Sequence, residues 1–132
     1  MISLLLASLV LCHARGPLPD SLCTPGAIET ADLAVVCGQS TRERRHVDEA
    51  MRRAVLASYG VPWKRRGEYE ADHLVPLSLG GGNMRWNLWA QLIGDARRKD
   101  LIEDTMHRRV CRGEMTLAEA QRAMATDWTQ AH

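Results

Sequence analysis

The sequence predicts an α+β fold in one domain. Three observations carry this. An apolar stripe at helical spacing runs through residues 47–58. Two short extended segments flank a run of three glycines at 80–82. Two further helical segments, 95–112 and 116–128, follow almost without a break. The 132 residues suit a single domain.

The chain opens MISLLLASLVLCHARG, with an apolar run from Ile2 to Leu11 and small or turn-prone residues around Ala14 and Gly16. The run is too short to span a bilayer and suits the core of a signal peptide, although no basic residues precede it. Residues 1–14 are therefore expected to be a leader and 15–132 the domain. The protein would be exported, periplasmic or secreted, and cytoplasmic if the leader is retained. No membrane contact is expected once the leader is gone. Removing it would leave Cys23, Cys37 and Cys111, one disulfide and one spare thiol. Cys37 with Cys111 is the preferred pair, because both flank predicted helices and the bridge closes a long loop. No CxxC is present, which argues against a zinc knuckle.

Residues 15–40 are rich in proline and glycine and read as an irregular entry, with a short strand at 34–37. In the first helix Val47, Met51, Ala54, Val55 and Ser58 share a face, and Gly60 and Pro62 end it. Residues 68–75 read as a strand running into Pro76, and 86–91 as its return. The glycines between them permit positive φ. In the second helix Leu101, Ile102, Thr105, Met106 and Val110 form the apolar face, with Gly113 just beyond its end. Thr116-Leu-Ala-Glu119 is a capping box for the third. The chain has no phenylalanine, so Trp63, Trp86, Trp89 and Trp128 are expected in the core.

Net charge is only +1, from 17 basic and 16 acidic residues, and does not by itself announce a nucleic-acid binder. The distribution says more: residues 42–66 hold eight basic side chains against three acids, a net +5, and seven of the eight are arginine. Guanidinium forks suit phosphate, whereas most charge runs are solvated helix faces. Asp100, Glu103 and Asp104 have a simple reading as acids near the positive end of a helix dipole. His107 is expected to be a partly exposed structural residue, and His46 to be solvated.

Asp72 and His73 are the candidates for chemistry. A carboxylate is a hard ligand for a divalent cation, and a neutral imidazole accepts a proton from water. Hydrolysis of a phosphodiester uses that combination. Neighbours in a strand point to opposite faces, so the two would border one cleft only where the strand ends or twists.

The stretch DHLVPLSLGGGNMRWNL resembles the core of the HNH nucleases, the ββα-metal fold, over about 68–112. CTPGA, CGQSTRER, KDLIED and VCRGEMTLAEAQ extend the resemblance to small bacterial HNH-like proteins. It implies His73 as general base, Asp72 as a ligand for Mg²⁺, with Mn²⁺ or Zn²⁺ as alternatives, and Asn87 as the residue that ties the loop and holds the histidine. The family's further ligand at the helix start falls at Ala96 or Arg97, neither of which binds a cation, leaving Asp95 as the substitute. Phosphate contacts would come from Arg97, Arg98, Lys99, Arg65 and Arg66, and the glycines would let a nucleic-acid strand, DNA before RNA, come close. Two alternatives stand beside the nuclease. One is a degenerate HNH-fold protein that binds nucleic acid or a protein partner. The other is an exported structural protein in which Asp72 and His73 satisfy each other.

Overall fold

The computed structural model describes residues 11–132, so most of the expected leader lies outside the described residues. The architecture is α+β: a two-stranded antiparallel sheet with helices before and after it. Two short helices, α1 (Leu33–Gly38) and α2 (Thr41–Arg44), precede α3 (Glu49–Ser58). Strand β1 (Tyr69–His73) pairs with β2 (Leu88–Leu92), in a register that sets Tyr69 opposite Leu92 and His73 opposite Leu88. Helix α4 (Ile93–Cys111) leaves β2 with no intervening loop, and α5 (Leu117–Asp127) follows. Among the described residues no helix is long and apolar enough to cross a membrane.

Local chemistry sets the helix boundaries. Asp48 caps α3 by accepting from the Met51 N–H at 2.8 Å. Thr116 Oγ1 accepts from the Glu119 N–H at 3.1 Å, the expected start of α5. Residues 34–37, expected as a strand, lie in α1. The Asp32 carboxylate caps that turn at the Ala34 N–H, and Val36 is buried in the core. Capping and one apolar anchor outweigh the strand preference of two adjacent valines.

The two faces of the sheet serve different purposes. Ala71 and Ala90 face α3, packing with Leu56 and Val61. On the other side Trp89 joins Leu74, Leu79, Met106, Val110, Met124 and Trp128 in the main core. Trp86, expected inside, is 52% exposed. It sits in the turn ahead of β2, where Asn87 rather than an apolar side chain enters the interior.

The glycine loop is packed against protein, which corrects the expectation that it lets a nucleic-acid strand approach. Gly80 has φ +86°, and a Cβ on Gly81 would lie 1.8 Å from the Val75 carbonyl oxygen. Residues 80–82 are all buried.

Cys37 is joined to Cys111, tying α1 to the end of α4, and Cys12 is joined to Cys23. The expected spare thiol is therefore absent: no cysteine is free among the described residues. A chain beginning after Ala14 would lack the Cys12 bridge. Two disulfides are compatible with an exported protein. Loop closure predicts unequal worth. The bridge spanning 74 residues should contribute about 4 kcal/mol and the one spanning 11 about 3 kcal/mol. Urea unfolding of the Cys37→Ser/Cys111→Ser and Cys12→Ser/Cys23→Ser variants should rank them in that order.

Candidate functional site

Asp72 and His73 lie at the end of β1, 6% and 3% exposed, on opposite faces. They make no hydrogen bond to each other. Each has its own set of partners.

On the α4 side, the Lys99 ammonium is fully buried among oxygens. Its Nζ donates to the His73 carbonyl at 2.6 Å and to Glu103 Oε1 at 2.5 Å. Asp72 Oδ2 lies 3.0 Å from the same nitrogen but accepts no hydrogen bond of good geometry, so that contact is Coulombic. The Trp89 ring lies 5.5 Å away and adds a cation–π contact. Burial alone would lower the lysine pKa; the Asp72 and Glu103 charges together exceed that effect and hold it above the ordinary value. Burial pushes Glu103 up to about 7, with Lys99 opposing and Asp72 adding to the rise. Three oxygens share one ammonium, and Glu103 is the acid that yields. Lys99 was expected to touch phosphate; the structure corrects this, because its charge is consumed inside the fold.

On the opposite face, His73 Nε2 lies 3.0 Å from Asn83 Oδ1. The amide oxygen can only accept, so Nε2 carries the proton and Nδ1 is the basic nitrogen. Nδ1 makes no hydrogen bond among the described residues. Burial holds the imidazole below its usual range, against the opposing effects of the Asn83 bond and the Asp72 charge. His73 is therefore neutral and carries a fixed tautomer.

Two asparagines hold this arrangement. Asn87 is fully buried and uses both ends of its amide. Oδ1 accepts from the Ala27 N–H at 3.1 Å and the Val75 N–H at 3.0 Å. Nδ2 donates to the Val75 carbonyl at 3.0 Å and the Gly82 carbonyl at 2.8 Å. It clamps the loop after β1 and makes no hydrogen bond to His73, so it is a positioning residue. Asn83, which the sequence reading missed, joins His73 to the 44–46 segment. It accepts from the His46 N–H at 3.1 Å and donates to the Arg44 carbonyl at 2.8 Å. A polar residue after three glycines reads as turn chemistry, and nothing local distinguishes Asn83 from that.

The same segment borders a cleft of about 500 Å³, lined by Arg45, Val47, Arg52, Ala71, Arg97 and Asp100, with Tyr69, Glu70 and Ile93 completing the wall. Ala71 shares the His73 face of β1. Burial raises the Glu70 and Asp100 carboxyls, and the Asp72 charge adds to both. Arg97, expected from the sequence, faces this cleft. Arg45 and Arg52 belonged to the basic run but were not singled out from it.

The other expected residues lie elsewhere. Asp95 pairs with Arg98 at 3.2 Å and lines a separate cavity of about 130 Å³ beside Trp89 and Gln91. It shares no partner with Asp72, so it does not act as the substitute ligand. Arg98 stands over Trp128 at 5.7 Å from the ring centroid. Arg65 pairs with Glu68 at 2.8 Å, and Arg66 packs on Trp63. His107 is half-buried, with Nε2 3.0 Å from the Val36 carbonyl oxygen, in keeping with the structural role expected of it.

The residues around Asp72 do not fit a divalent cation. Asp72 already faces an ammonium, and Asp95, the other carboxylate expected to bind one, stands apart with Arg98. The position for a second ligand holds the buried methyl of Ala96 or the outward Arg97. Among the described residues, the donor atoms that converge are those of Cys37, His107 and Cys111, within 4.8 Å of one another. That group could hold a metal ion, but only with its disulfide reduced, since the thiolate is the ligand form.

No family model, curated protein or solved structure matches the chain.

Glu103 gives the site a pH signature. Its folded carboxyl binds a proton more tightly than an unfolded glutamate of pKa 4.5. The stability it contributes is present below 4.5 and lost as pH rises through about 7. His73 acts in the opposite sense, losing stability as pH falls below its ordinary 6.5. Comparing wild type with Glu103→Gln by urea unfolding from pH 5 to 8 isolates the first effect. The wild type should lose on the order of 2 kcal/mol relative to the variant across that range.

Proposed function

We propose that this chain cleaves the phosphodiester backbone of nucleic acid, with an HNH-like ββα arrangement in which His73 is the general base. The observation that carries the reading is the His73 imidazole, desolvated, neutral and held by Asn83 with Nδ1 as the basic nitrogen, beside an arginine-lined cleft. The succession β1, clamped loop, β2, α4 follows the order that the HNH resemblance implies.

In this reading Nδ1 takes a proton from the attacking water as the water oxygen bonds to phosphorus; the P–O bond to the leaving sugar oxygen breaks, and that oxygen takes a proton from solvent. Asn83 keeps the proton on Nε2 and supports the imidazolium that forms. Arg45 and Arg97, which both line the cleft, meet the charge that builds on the phosphate oxygens. Lys99 and Glu103 act at one remove, fixing β1 against α4. The expected metal at Asp72 has no step in this scheme, because a cation there would have to displace the Lys99 ammonium.

A second reading is a binding module without hydrolysis. Ala96 and the engaged Asp72 favour it, since both remove cation chemistry while leaving the cleft intact.

Incubating the full chain with plasmid and with single-stranded oligonucleotides, in Mg²⁺, Mn²⁺, Zn²⁺ or EDTA, separates the readings. Cleavage should occur and fall at least about 100-fold in His73→Ala, the usual loss when a general base is removed. Cutting that persists in EDTA supports the built-in cation. Cutting that needs a metal would show that Lys99 does not replace the cation in the reaction. Oligonucleotide binding with no cutting under any condition would establish the second reading.

A further inference from the structure

Beyond the cleft, three arginines gather around one tryptophan. The guanidinium carbons of Arg53, Arg66 and Arg52 lie 4.4, 5.0 and 5.3 Å from the centroid of the Trp63 ring. They arrive from two elements: Arg52 and Arg53 from α3, Arg66 from the turn before β1. The chain's own carbonyls fix two of them. Arg52 Nη2 donates to the Arg66 carbonyl at 3.1 Å, and Arg66 Nη1 donates to the Trp63 carbonyl at 3.0 Å. Arg53 and Arg66 are exposed. None of the three makes an ion pair among the described residues, although other surface arginines, Arg65 and Arg98, do.

Three like charges around one ring repel one another. The indole face offsets part of that repulsion through its quadrupole, but it cannot neutralise a net +3. An oxyanion can. A planar guanidinium offers its free N–H edges to phosphate while its face stays stacked on the ring. The cluster is also continuous with the cleft, because Arg52 belongs to both.

We propose that the Trp63 cluster is an anion site for phosphates of a nucleic-acid backbone, next to the segment held in the cleft. Trp63 is a plate that aligns the guanidinium groups, and its role is to hold them and not to stack on bases. The site reads backbone and not sequence. It rests on the proposed function only for the identity of the polyanion. Binding here does not require hydrolysis at His73.

Fluorescence anisotropy of the full chain with a labelled 15-nucleotide single strand and the corresponding duplex, over a range of NaCl, tests the site. Arg53→Ala/Arg66→Ala leaves the cleft residues untouched. It should weaken binding at least tenfold at 100 mM NaCl and flatten the plot of log affinity against log salt by about 1.4 to 1.8, the counter-ion release of two phosphate contacts. Trp63→Leu should weaken binding with a smaller change of slope, since the charges remain but lose alignment. Arg122→Ala, an exposed arginine on α5, should bind as wild type. Equal affinity and slope for wild type and Arg53→Ala/Arg66→Ala would overturn the site, and with cleavage still lost in His73→Ala it would leave the nuclease reading standing. Binding to phosphatidylserine vesicles but to neither oligonucleotide would also overturn it, and would remove the nucleic-acid reading with it.

Discussion

The Lys99 ammonium is the charge around which this fold is organised. It reaches from the second turn of α4 into the space beside β1 and gathers the His73 carbonyl, Asp72 and Glu103. Burying an ammonium costs several kcal/mol unless its partners are well placed, and here they come from two elements that must be in register. Such a contact is weak as a source of stability but strict about geometry. If β1 slips by one residue, Asp72 turns away and the ammonium is left uncompensated. The lysine thereby fixes the end of β1, where His73 begins the clamped loop.

That end of the strand keeps acid and base chemistry apart. Asp72 looks toward α4 and a cation that belongs to the chain. His73 looks the other way, toward Asn83 and the arginine-bearing segment. The backbone of a single dipeptide connects the two, through the His73 carbonyl that Lys99 holds. Asn87 completes the frame. Four hydrogen bonds from one buried amide close the loop from Val75 to Gly82 and attach it to Ala27, so the histidine stands on a loop with little freedom. The cleft arginines gather near this frame, so a formal net charge of +1 becomes locally electropositive both there and around Trp63.

Much of this arrangement was legible in the sequence, and the reasons for the gaps are physical. Strands 69–73 and 88–92 and helices α3, α4 and α5 follow from periodicity, caps and glycine, all of which act over a few residues. Asn87 as a loop clamp was implied by the resemblance to the HNH nucleases. Lys99 was misread because a lysine among arginines on a helix is normally solvated. Its burial depends on Asp72, which lies 27 positions earlier in the chain. Glu103 carried a faint signal, its i,i+4 spacing from Lys99, but an acid near a helix start has a simpler explanation. Cys12 was assigned to the leader on local pattern, and only its approach to Cys23 shows a second bridge. The strand expected at 34–37 failed for a similar reason, since a six-residue helix carries little periodicity to read.

The central claim is that the chain supplies its own cation at Asp72. Calorimetric titration of Mn²⁺ into the full chain and into Lys99→Ala, under conditions where both disulfides stay oxidised, tests it directly. The account predicts no saturable binding by wild type up to millimolar Mn²⁺. It predicts that binding appears in Lys99→Ala, where Asp72 and Glu103 are released, provided circular dichroism shows that variant folded. Saturable one-to-one binding by wild type, lost in Asp72→Asn, would contradict the account and return Asp72 to the role of metal ligand.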